Sequence, residues 1–132
     1  MNPLALAGLF GFVKGLLASH QPTASGPHWL HSVVAAPIYE EAIFRMVPLQ
    51  FSGNNLPVGW TGVPFALEHV IQESKHGMST SRMFARFTEV AFGGMLYELA
   101  YRKWGLLGAA ASHSGHNFGV KLGNRIARKW LK

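Results

Sequence analysis

The chain has no cysteine, which excludes a disulfide framework, a thiolate metal site and a cysteine nucleophile together. It also has no aspartate, so six glutamates face twelve lysines and arginines and leave a formal charge of +6. Charged residues of both signs make up only 14% of the chain, while 48% is hydrophobic. Soluble domains average roughly 25% charged, so this balance points towards a membrane protein or a tightly assembled one. There is no internal repeat and no low-complexity tract, and 132 residues suit one domain (1–132) with no separate substrate module. Alternation with period two is scarce over any strand-length window, which predicts an all-α fold.

Polar or Gly/Pro-rich breaks divide the chain into five apolar segments, near 2–18, 29–50, 57–72, 84–102 and 104–122. The first carries its one cation, Lys14, inside the apolar run, as an amphipathic or spanning helix does and a signal peptide does not. The break from His20 to His28 combines Pro22, Ser25, Gly26 and Pro27, and Ser79 or Thr80 suits the N-cap of the fourth helix. The expectation is a compact bundle of four to five helices, membrane-embedded, with a soluble helical bundle as the alternative. Cations support the first. If segments two to five alternate in direction, Lys75, Arg82 and Arg86 lie on the side of the basic tail (121–132), opposite Arg102 and Lys103, which would make the tail cytoplasmic. Within that tail Lys121, Arg125, Arg128, Lys129 and Lys132 suit an anionic lipid surface. The same cations, with Trp130 beside Lys129, would also suit nucleic acid, but no base-reading motif accompanies them.

Within the apolar segments stand polar residues that need a reason. Glu40, Glu41 and Arg45 interrupt the second, and an unpaired charge there costs about 2.5–3.5 kcal/mol. Glu41 and Arg45 are four apart on one helical face, acid first, and can pair. Glu40 points about 100° away and has no local cation. A partly desolvated carboxylate of this kind is raised towards neutrality, as a general base for water requires; an exposed helix edge carrying two glutamates is the bland alternative. Phe65 and His69 share a face of the third segment, and His113 and Asn117 share a face of the fifth, among small residues that admit a close neighbour. His116 is within about 60° of His113 on the wheel.

The ordered set, EExxxR at Glu40 to Arg45, FxxxH at Phe65 to His69 and HxxxN at His113 to Asn117, resembles the CPBP family of intramembrane proteases. That family includes the CAAX prenyl endopeptidases and the Abi-type proteins. The stretch from Phe92 to Asn117 is also similar to the family's helix, turn and helix, and the resemblance covers about 29–122. It implies an intramembrane endopeptidase hydrolysing a peptide bond, with Glu40 and His69 activating water and His113 and Asn117 holding the oxyanion. Glu41, Arg45 and Phe65 would support the site. Glu40, His69 and His113 could ligate zinc or another divalent metal with a position open for water, and the same residues serve a metal-free mechanism equally. The expected partners are a peptide or protein substrate, a lipid bilayer, and a second copy or larger assembly completing the enclosure. The competing reading is a non-catalytic helical protein that binds a membrane or an assembly on a protease-like scaffold.

Overall fold

The computed structural model describes residues 2–17, 30–75 and 77–130, and every regular element among them is helical. The break from His20 to His28, His76 and Lys132 lie outside the described residues. Four helical runs follow in order: α1 (Pro3–Leu17), α2 (31–51), α3 (Gly62–Ser74) and α4 (Thr80–Trp130).

α2 alternates between two helical forms, with π turns at His31–Ala35 and Ala42–Met46 and α segments at Ala36–Glu41 and Val47–Phe51. Its two prolines account for this. Proline lacks an N–H, and its ring crowds the carbonyl four residues back. In the turn before Pro37 the Ala36 N–H donates five residues back to His31, and before Pro48 the Val47 N–H donates to Ala42. The widened turns let both prolines continue one helix.

The sequence places a break near residue 103; the structure puts it at Gly105, with φ 69° and ψ −162°. A side chain rarely adopts that conformation and glycine does so freely. The arms of α4, 80–104 and 106–130, therefore run in different directions, and the basic tail continues the second arm as helix to Trp130. Ser79 holds the N-cap position, its carbonyl accepting the Met83 N–H at 2.9 Å. Residues 52–61, partly expected as helix, form a turn held by the buried Glu98 carboxylate. That group accepts from the Gly59 and Thr61 amides, both at 3.2 Å, and from the Thr61 hydroxyl at 2.6 Å. Arg102 in turn donates to Glu98 at 2.7 Å and to the Asn54 carbonyl at 2.9 Å.

Helix crossings are made by glycines. α1 lies against the second arm of α4, where a methyl group on Gly119 would come within 2.5 Å of the Gly8 carbonyl oxygen. α3 meets the first arm at Gly62 and Gly94. A Cβ on Gly94 would stand 2.7 Å from Arg45 Nη2 and 2.9 Å from the Gly62 Cα. Gly94→Ala is therefore expected to cost about 1–3 kcal/mol of stability by overpacking, read by denaturant unfolding of the two proteins.

The interior is unusually polar. Glu41, Arg45, Glu98 and Ser112 are all at 0% exposure, whereas Phe51 is 90%, Leu17 81% and Leu107 79% exposed. A small core of Ala7, Phe65, Ala66, Val90, Leu96 and Tyr97 lies beside the buried charges. Among the described residues no helix is long and apolar enough to cross a membrane.

Candidate active site

α2 brings Glu41 and Arg45 into the interior as the pair expected from their spacing, with Arg45 Nε 3.2 Å from Glu41 Oε2. The guanidinium stands 4.2 Å over the Phe65 ring from α3, so an aromatic face supports the charge where the described residues offer no further acceptor. Glu41 does more than pair with Arg45: its Oε1 lies 2.9 Å from His113 Nδ1 on α4. A carboxylate already paired with arginine accepts there, so Nδ1 carries the proton and the other ring nitrogen, Nε2, faces away.

His69 is fixed in the same sense by a different acceptor. Its Nδ1 is 2.9 Å from the Phe65 carbonyl oxygen, which can only accept, and 3.0 Å from Glu68 Oε2. Both imidazoles thus turn Nε2 towards one atom. Glu40 Oε2 is 3.7 Å from His113 Nε2 and 4.0 Å from His69 Nε2. These separations exceed a direct hydrogen bond and suit a small group bonded to both sides. Burial raises the Glu40 carboxyl above its ordinary value, and the positive charge that His113 and His69 can carry works against that rise. Its side chain is 31% exposed and that of His69 25%, while Oε2 itself is enclosed and makes no hydrogen bond among the described residues.

Aromatic rings hold the imidazoles in place. Tyr97 stacks on His113 with centroids 4.4 Å apart and planes at 10°, and Phe65 meets the same ring edge-on at 5.6 Å. A cavity of about 60 Å³ opens alongside, lined by His69, His113, His116, Asn117, Tyr97 and Lys14 among others. One water needs roughly 10–15 Å³ of such space, so the cavity admits water. Glu40 is not part of its wall and meets it through the two imidazoles. His116 is buried and its Nδ1 has no hydrogen-bond partner among the described residues, and burial followed by the charge of Lys14 pushes its imidazole down to about 3. It is therefore a neutral polar group at neutral pH.

Asn117 lines the cavity beside His113 and donates from Nδ2 to the Ser32 carbonyl at 2.8 Å. Three of the expected residues, Glu40, His69 and His113, thus share one carboxylate oxygen, and Asn117 joins two of them at the cavity. Arg86, on the first arm of α4, bridges Glu73 at 2.7 Å and Glu89 at 2.8 Å, with Lys14 of α1 also paired to Glu89. Of the tail cations, Arg125, Arg128 and Lys129 are exposed, while Lys121 is partly buried and donates to the Ser32 hydroxyl at 2.8 Å. Among the described residues no three His, Cys, Asp or Glu side chains are grouped to hold a metal ion.

Sequence reasoning missed the Glu41–His113 bond, the Tyr97 stack and the part of Ser32. Only Tyr97 left a trace, as an aromatic within the stretch similar to the CPBP pattern. No curated protein and no solved structure matches the chain. A family model described as type II CAAX prenyl endopeptidase Rce1-like matches residues 22–119, well over half the chain and inclusive of Glu40, Glu41, Arg45, Phe65, His69, His113 and Asn117. The chain belongs to the Rce1-like family of type II CAAX prenyl endopeptidases, membrane proteases that act on peptide or protein substrates.

Proposed function

We propose that this chain is a small endopeptidase working at a membrane, which hydrolyses a peptide bond with water activated by Glu40. The observation that carries the reading is the meeting of two imidazole Nε2 atoms, each with Nδ1 fixed by an acceptor, at one carboxylate oxygen. A water bonded to Glu40 Oε2 lies within reach of His69, whose Nε2 lone pair orients it. Glu40 takes its proton as the oxygen adds to the scissile carbonyl carbon. The oxyanion so formed is met by the Asn117 amide and by His113. Since Nδ1–H of His113 is committed to Glu41, Nε2 donates to the oxyanion when the ring carries both protons. Collapse breaks the carbon–nitrogen bond, and the proton held on Glu40 passes to the leaving amine.

Membrane contact is supported by the outward apolar residues. On the second arm of α4, Phe118 and Leu122 lie on one face and are followed on it by Arg125 and Lys129, all exposed. An apolar stripe ending in cations suits a helix resting in the lipid boundary with its end at anionic headgroups.

Two measurements check this reading. With a prenylated CAAX peptide in lipid vesicles, His69→Ala and His113→Ala are each expected to lower kcat by about 100-fold or more, the melting temperature being kept in His69→Ala and lowered in His113→Ala, which empties a buried ring site against Glu41. Turnover equal to wild type in both variants would remove the assignment. If function ignored Glu40→Gln but were lost when the tail cations became glutamine, the non-catalytic reading would replace it. The second measurement is the pH profile. Glu40 must be ionised to accept a proton, and its carboxyl lies above the ordinary 4.5, so kcat/KM should fall on the acid side through a midpoint above 4.5.

A further inference from the structure

We propose that Lys121 is a positioning residue for the Asn117 amide, acting through Ser32. The inference rests on the reading of Asn117 as an oxyanion donor and adds to it a residue outside the matched span 22–119.

Ser32 lies in the first π turn of α2, where the following proline removes one backbone donor from the reach of its carbonyl. A π turn would give that carbonyl the N–H of residue 37, which is proline and has none. The preceding amide, of Ala36, is committed to His31. The Asn117 side chain donates to that carbonyl at 2.8 Å. One turn further along α4, Lys121 Nζ donates to the hydroxyl of the same serine, also at 2.8 Å. Ser32 is thus gripped at two points by one face of α4, on its carbonyl by Asn117 and on its side chain by Lys121.

The grip has a consequence for chemistry. A carbonyl only accepts, so it selects the NH₂ end of the Asn117 amide over the oxygen end. The amide is planar, so fixing one N–H in the Ser32 bond fixes the direction of the other. That second N–H is the one available to an oxyanion on the cavity side. Oxyanion stabilisation depends on donors aimed in advance at the developing charge. Lys121 keeps Ser32, and with it the amide plane, in register.

The test is a set of kinetic variants in the full chain, with the prenylated CAAX peptide as substrate. Ser32→Ala and Lys121→Met should each lower kcat about 10-fold, with KM within about 2-fold and the melting temperature unchanged. Together they should do no more than either alone, and Lys121→Arg, which keeps a donor in reach, should retain most activity. On an Asn117→Ala background, itself down about 100-fold or more, Lys121→Met should add nothing. Wild-type kcat in Lys121→Met, or losses that multiply with Asn117→Ala, would overturn the proposal while leaving the oxyanion reading intact. A loss in Lys121→Met that Ser32→Ala does not share would also overturn it, and would assign Lys121 to lipid if it vanished in neutral-lipid vesicles. Wild-type activity in Asn117→Ala would instead remove the oxyanion reading, and this inference with it.

Discussion

Glu40→Gln should lower kcat by about three orders of magnitude, within the roughly 10²–10⁴-fold that a positioned acid or base contributes. The amide is the same size and can keep a hydrogen bond to either imidazole, but it cannot accept the proton of water. The Glu40 side chain is partly exposed, and its enclosed Oε2 makes no hydrogen bond among the described residues that the substitution would break. The melting temperature should therefore stay at or above that of the native protein, because a carboxyl raised by burial is replaced by a neutral group. KM should change little, since the loss falls on the transition state. Stopped-assay turnover beside thermal unfolding checks both halves.

Glu41 carries the largest expected effect on stability. It is fully buried, pairs with a fully buried Arg45 and bonds to His113. Removing one partner of a buried ion pair leaves the other charge uncompensated, at a cost of about 3–5 kcal/mol. Glu41→Ala should therefore lower unfolding stability by that amount, with the further loss of the His113 orientation. The paired replacement Glu41→Leu with Arg45→Met removes both charges and should recover most of the stability. It should not recover turnover, because His113 Nδ1 then has no acceptor and the ring is free to present either tautomer. Chemical denaturation of the three proteins, with kcat for the double variant, separates the structural from the positioning share of Glu41.

Much of this arrangement was legible because its parts are local in sequence. The pairing of Glu41 with Arg45 follows from helical spacing, and the scarcity of charge made each ionisable residue inside an apolar segment conspicuous. The all-helical fold follows from the lack of period-two patterning. What escaped the sequence is of two kinds. Contacts such as Glu41 with His113, 72 residues apart, depend on how helices cross, and the crossings are set by glycines whose significance appears only when a second backbone lies against them. Backbone departures form the other kind. Pro37 and Pro48 were visible inside an apolar stretch, yet whether a proline ends a helix or is absorbed by a π turn depends on the packing that holds α2 together. The same applies to Lys121, which by composition belongs to a basic tail and by geometry to Ser32.

The most direct measurement of the central claim is an experimental structure of the protein with a peptide phosphonate, whose tetrahedral group imitates the adduct of water and the scissile carbonyl. One phosphonate oxygen should lie within hydrogen-bond distance of Glu40, with His69 beside it, and a second should contact His113 Nε2 and the Asn117 amide. A phosphonate bound elsewhere, or bound here with Glu40 turned away from it, would contradict the account.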